Sequence, residues 1–305
     1  MISKKINRTL TEIWNAWKGF WFESYSPRQL ELFRLGFGLL LFTLYAVRTP
    51  DTLFYFSENG FLTSDLIKEL MPMEFRYSVF FLFRSEMALW IGHFVFLISL
   101  LWMAFGLKFT RVATIVAYAL HLSFLRRNMA QGYGADLISA FFLFYLCLAS
   151  YDRVSEKKPV RMRHVFGSVA LRLIQLQVCV IYAYSGLDKV RGAQWWAGEA
   201  LWGVLANAQL ARFDFSVFAH FPILVTALTY STLAWEIYFP VLIWNRVLKP
   251  WMLGFGVALH VGISVMINIP FFGVLMMLSY IVFCEDSWID SFFRWLKAKR
   301  GRATA

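Results

Sequence analysis

The sequence predicts an all-α fold, a polytopic integral membrane bundle of about eight transmembrane helices with an amphipathic interfacial helix at each end. Two observations predict it. Of 305 residues, 59% are hydrophobic and 19% aromatic, above the roughly half-apolar composition of soluble domains. The 16% that are charged gather in short clusters. Those clusters separate apolar runs of about 20 residues, the length a helix needs to cross about 30 Å of hydrocarbon.

Taken in order, residues 1–28 place Ile6, Leu10, Ile13, Trp14, Trp17 and Trp21 at helical spacing, with Lys4, Lys5, Arg8 and Lys18 on other faces. This is the pattern of a helix lying along the inner leaflet. Apolar runs then predict spans at 29–49, 87–106, 109–126, 134–151, 166–188, 222–244, 250–268 and 270–284, forming one membrane domain over 29–284. Pro222 and Pro240 in the sixth span, and the shortness of the last, allow kinks or partial crossings. Residues 285–305 form a basic amphipathic tail, with Trp288, Ile289, Phe292, Phe293 and Leu296 on one side and Arg294, Lys297, Lys299 and Arg300 around them. The first long run starts near Leu30, so no cleavable signal peptide is expected before it.

With the N-terminus inside, the inner segments carry 19 Lys and Arg and the outer segments 9, so both termini are expected in the cytoplasm. A net charge of +11 would suggest nucleic acid in a soluble protein. Here the basic residues are spread as topology signals and bilayer contacts, and no nucleic-acid partner is expected. Cys147, Cys179 and Cys284 lie in or at the end of apolar runs, which makes them packing residues. No two histidines have metal-ligand spacing on one helix, and no metal site is expected.

Ionisable residues inside spans are costly, about 2.5–3.5 kcal/mol each on insertion scales, and so mark where function is sought first. Arg34, Arg172 and Glu236 are the clearest, at depths that let three helices share one buried ion cluster. Such a cluster either fixes the helix arrangement, with the arginines snorkelling inward, or lines a proton or substrate path. Asp136, at the outer end of the fourth span, belongs to an outward pocket or is a helix-end charge, and His260 lies near the middle of the seventh span. The outer segments Arg48–Glu86 and Lys189–Pro222 are placed to roof an outward-opening pocket. Within Gln175–Gly198, Tyr182, Ser185 and Lys189 recur at helical spacing on one face, the hydroxyls beneath the amine. Lys189 is then either an interfacial anchor or a partly desolvated amine from which Trp195 and Trp196 exclude water.

The chain resembles the horizontally transferred transmembrane (HTTM) family, whose best-known members are the vitamin K-dependent gamma-glutamyl carboxylases. The residues that carry the resemblance are FRLGFG (Phe33 to Gly38), GLKFTR (Gly106 to Arg111), and Gln177, Tyr182, Gly186, Lys189, Trp195 and Gly198. Glu236 and His260 with IPFFG (Ile269 to Gly273) extend it across almost the whole chain. The resemblance implies that Lys189 is a base acting on a reduced quinone or other lipid-soluble substrate at the outer face of a bacterial inner membrane. Tyr182, Ser185, Trp195, Trp196, Asp136 and His260 are then the expected substrate contacts, and a small secreted peptide is the expected partner, to be modified or simply bound. The sequence departs from the carboxylases at three points. Asp188 stands where they have a second lysine, Gln131 and Gly132 stand where they have Asn-His, and the sequence ends shortly after its last span. Their large outer domain and glutamate carboxylation of a protein are therefore not expected.

Overall fold

The computed structural model describes residues 2–22, 27–128, 130–149 and 160–303, and of residues 2–8, 27, 160–164 and 299–303 the backbone alone. The side chains of Lys4, Lys5, Ile6, Arg8, Lys299 and Arg300, and the end of the 134–151 segment, thus lie outside what is described. Among the described residues there is no strand, only an isolated bridge between Ala211 and Ile267. The chain falls into two compact units, one of residues 1–174 with 286–305 and one of residues 175–285.

The first unit contains α1 (Ile2–Phe22), α2 (Pro27–Val47), α3 (Thr52–Phe56), α4 (Ser64–Leu70), α5 (Glu86–Phe105), α6 (Thr110–Arg127) and α7 (Gly134–Leu148). It also holds the start of α8 (Val160–Val190). The second takes α8 from Gln175 onward, then α9 (Ala193–Trp196), α10 (Ala200–Leu205), α11 (Pro222–Leu242), α12 (Lys249–Met266) and α13 (Pro270–Ser279). The last helix, α14 (Asp286–Ala303), returns to the first unit. Every apolar run expected to span is helical over most of its length, and both amphipathic ends are helices. Among the described residues, Arg28–Val47, Glu86–Phe105 and Val165–Val190 are each long and apolar enough to cross a membrane, and Pro270–Phe283 with Asp286–Ala298 is so only as a pair bent by 115°.

In the first unit α2, α5, α6 and α7 pack in succession. Phe33 and Phe37 stack at 5.4 Å and both meet Phe142 edge-on, while Gly38 has no room for a side chain because a Cβ there would stand 2.8 Å from that of Ala104. Between apolar helices in lipid, such close van der Waals contact is what holds neighbours together. On α5, Leu89, Phe96, Leu100 and Met103 are buried, whereas Met87, Ile91, Phe94, Ile98 and Phe105 form an exposed stripe on the other side. A helix surrounded by lipid presents that surface.

Arginines recur at helix C-termini, where the last carbonyls lack intrahelical partners and carry partial negative charge. Arg172 donates from Nε to the Phe20 carbonyl near the end of α1 at 2.9 Å, and Arg111 to Cys147 at the end of α7 at 3.1 Å. Arg76 donates to Met71, which follows α4, at 2.7 Å. Arg34, 9% exposed, lies against the end of α5, where Gly106 turns left-handed (φ 62°) and a Cβ would strike the guanidinium.

The segment 48–86 is a folded cap tied to the end of α6. Arg127, 1% exposed, donates to the carbonyls of Ser57 and Leu62 at 2.9 and 3.0 Å, and Asn128 donates to that of Tyr55 at 2.8 Å. Within the cap, Glu58 accepts from the Ser64 hydroxyl and, at 3.0 Å, from the Ser64 N–H, and Arg84 clasps Asp65 with two hydrogen bonds of 2.9 and 3.2 Å. Burial raises the Glu58 carboxyl, but the bonds from Ser64 together with Arg127 and Arg84 outweigh it and hold the group below its ordinary value. Hydrogen bonding and charge from Arg84 lower Asp65 likewise.

Gly106→Ala should therefore destabilise the protein by about 1–2 kcal/mol through left-handed backbone strain alone, with displacement of Arg34 adding to it. Gly134→Ala, where a Cβ meets nothing within 4 Å, should change the thermal midpoint of the detergent-solubilised protein little. Because both cap carboxylates are depressed, the stability they contribute is present above their unfolded values, about 4, and is lost as pH falls through the lower folded values. Protection of cap amides against hydrogen exchange should decline on acidification through this range, while that of the α2–α5 core persists.

Candidate functional site

The second unit brings together most of the residues singled out in its part of the sequence. On α8, Tyr182, Ser185, Gly186 and Lys189 share a face, as their spacing requires. Gly186 is where α8 meets α11: a Cβ there would stand 3.0–3.3 Å from Ile237 and the backbone of Glu236. That approach sets the Glu236 carboxylate beside the amine of Lys189, with Nζ to Oε2 at 2.8 Å. The same amine donates to Ser185 Oγ at 2.5 Å and lies 5.2 Å from the centre of the Trp195 ring.

The direction of Lys189 is informative. A lysine anchoring a helix end at a surface sends its amine outward to water or onto the last carbonyls. Here the side chain folds back one turn along α8 to Ser185. The carbonyls at the end of α8 have other partners: Asp188 and Lys189 accept from the N–H groups of Arg191 and Gly192, and Val190 accepts from the Trp196 indole at 2.7 Å. Lys189 Nζ is thus held by Ser185, Glu236 and Trp195, and its side chain remains 22% exposed.

Along the same face lies a buried polar chain. The Tyr182 hydroxyl is 2.8 Å from His260 Nε2 and 2.6 Å from the Tyr280 hydroxyl. Gly256 makes the space, since a Cβ there would stand 2.7–2.8 Å from the rings of Trp235 and Tyr280. His260 is 2% exposed, and its Nδ1 has no hydrogen-bond partner among the described residues. Pro240, four residues after Glu236 inside α11, has no N–H, so the Glu236 carbonyl lacks its intrahelical donor.

The stretch from Lys189 to Pro222 packs as α9 and α10 along the first turns of α11. The Tyr230 hydroxyl donates to the Trp196 carbonyl at 2.5 Å, the Leu201 N–H to Thr229 Oγ1 at 3.2 Å, and Gly198 (φ 77°) abuts Thr226. Trp195 is thereby set beside the amine, whereas Trp196 is 60% exposed.

The other expected site residues lie in the first unit. Asp136 is buried at the start of α7, Arg34 sits at the end of α5, and Arg172 reaches the end of α1. Sequence reasoning placed Glu236 with the arginines, and the neighbour the structure gives it is Lys189. Tyr280 was not singled out, because it stands in an apolar run with no spacing signal. Among the described residues no group of three His, Cys, Asp or Glu is placed to hold a metal ion. No family model, curated protein or solved structure matches the chain.

Removing either ion alone leaves the other without its partner in apolar surroundings. Lys189→Met and Glu236→Gln should each destabilise the protein by about 3 kcal/mol, the low end for a buried pair because the lysine is partly exposed. The double variant should lose clearly less than the sum, read from chemical unfolding in detergent.

Proposed function

We propose that this chain is a membrane-embedded protein of the HTTM, carboxylase-like class, in which Lys189 and Glu236 act together on a lipid-soluble substrate. The observation that carries the reading is the amine turned back into its own unit onto Ser185 and Glu236. A lysine accepts a proton only after giving up its own, and the carboxylate 2.8 Å away is an acceptor within reach. The pair then works as one base, with Trp195 keeping water from the amine. Tyr182, His260 and Tyr280 supply hydroxyl and imidazole groups to a polar substrate atom, such as the hydroxyl of a reduced quinone.

The reading takes the helices as eight spans with both ends in the cytoplasm of a bacterial inner membrane. It is supported by helices at all eight apolar runs, by the exposed apolar stripe of α5, and by the excess of Lys and Arg on the inner side. A second reading is a non-catalytic partner that binds a lipid or a small secreted peptide in its maturation or export. The close ion pair favours it, since an amine engaged by Ser185 and Glu236 is already committed to holding α8 against α11.

Mass spectrometry of lipids and peptides co-purifying with the wild type and with Lys189→Ala separates the readings. The enzyme reading expects a lipid-soluble species enriched with the wild type, together with a peptide or lipid whose mass changes on incubation with it and not with the variant. A ligand retained without any mass change selects the binding reading, and identical profiles for the two proteins reject both.

A further inference from the structure

Three arginines around the cap face a carboxylate of the chain: Arg48 meets Asp136 at 3.5 Å, Arg84 meets Asp65 at 2.9 Å and Arg127 meets Glu58 at 3.7 Å. Arg126, in the last turn of α6, does not. Its guanidinium stands 4.8 and 5.0 Å from the centres of the Phe75 and Tyr77 rings of the cap, and Nη2 donates to the Tyr77 hydroxyl at 2.9 Å. That hydroxyl is its one hydrogen-bond acceptor among the described residues, and Nε is enclosed without any. The Tyr77 oxygen, having accepted from Arg126, keeps its own proton, and no described residue receives it. Tyr77 is 47% exposed and Arg126 half-buried. What the pair offers its surroundings is therefore donors alone, the remaining guanidinium N–H groups and one O–H, with a positive charge unanswered by any described carboxylate. An anionic group with two oxygens accepts from both and answers the charge.

The surface beside this pair says what carries the anion. Val112, Ile115, Ala119 and Leu122 recur at three and four residues along α6, and the same recurrence arrives at Arg126. Val112, Ile115 and Ala119 are exposed and Leu122 partly so, which makes an apolar stripe on the side of α6 turned away from its neighbours. Arg111 stands at the other end of the stripe. A helix crossing a bilayer lays such a stripe against acyl chains and holds cations and aromatic rings at the level of the headgroups. Phe75 and Tyr77 are rings of that kind, each exposed as well as in contact with the guanidinium. A phospholipid has both parts in one molecule, a phosphate at the headgroup and chains below it.

We propose that Arg126 and Tyr77 hold the phosphate of a membrane phospholipid whose acyl chains lie along the α6 stripe. Arg126 supplies charge and N–H groups, Tyr77 supplies its O–H, and the ring contacts restrict how the guanidinium can turn. The site lies in the first unit, rests on α6 as a span, and does not depend on the role given to Lys189.

Native mass spectrometry of the full chain in detergent tests it, with three probes titrated separately: dioleoyl phosphatidylglycerol, whose headgroup carries no cation, dioleoylglycerol, which lacks the phosphate, and glycerol phosphate, which lacks the chains. The phospholipid should bind more tightly than either of the others. Arg126→Met should weaken its first binding step about tenfold or more, the worth of one hydrogen bond to a charged group, and leave dioleoylglycerol unchanged. Tyr77→Phe, which keeps the ring beside the guanidinium, should weaken that step by about threefold, and serves if the first variant fails to fold. Phosphatidylglycerol binding unmoved by Arg126→Met or by Tyr77→Phe, an equal loss for dioleoylglycerol, or glycerol phosphate bound as tightly as the phospholipid would each overturn the proposal. Binding of neither lipid would overturn it together with α6 as a span.

Discussion

Polar groups inside an apolar protein must find their partners within the chain, and this constraint organises the fold. A helix surrounded by hydrocarbon satisfies its own backbone except at its ends, where the last carbonyls are left over. The first unit meets that shortage with arginine. Arg34, Arg76, Arg111 and Arg172 each come to the end of a helix, three of them from another long helix and one from the cap. At Arg76, Arg111 and Arg172 charge and carbonyl resolve one another, so cations that would be costly as isolated ions become pieces that fix where helices stop. Arg127 uses the same chemistry to pin the cap to α6.

The second unit solves the problem between side chains. A lysine, a glutamate and a serine come together where Gly186 lets α8 approach α11, and a histidine and two tyrosines do so alongside. Stability and chemistry are hard to separate in such an arrangement. The groups that make burial tolerable are also those able to move a proton, and the glycines that admit them have no polar function of their own.

Much of this was legible in the sequence because length and apolarity are local properties. The apolar runs became helices with ends close to those expected, and the recurrence of Tyr182, Ser185 and Lys189 placed them on one face. Which neighbour each ion meets was not legible. The acceptors of Arg172 and Arg111 are main-chain carbonyls, which no residue type advertises. Glu236 is 47 positions from Lys189, and periodicity within one helix says nothing about the facing one. FRLGFG and GLKFTR looked like separate motifs, yet Arg34 of the first rests on Gly106 of the second, a single contact written in two places.

Pro240 carries a mechanical consequence. Since the carbonyl of Glu236 has no hydrogen bond from that position to lose, α11 flexes there more cheaply than anywhere else along its length. The acid thus sits at the one turn of α11 where a proline leaves the rod soft, so the part that meets the amine is the part that bends most readily.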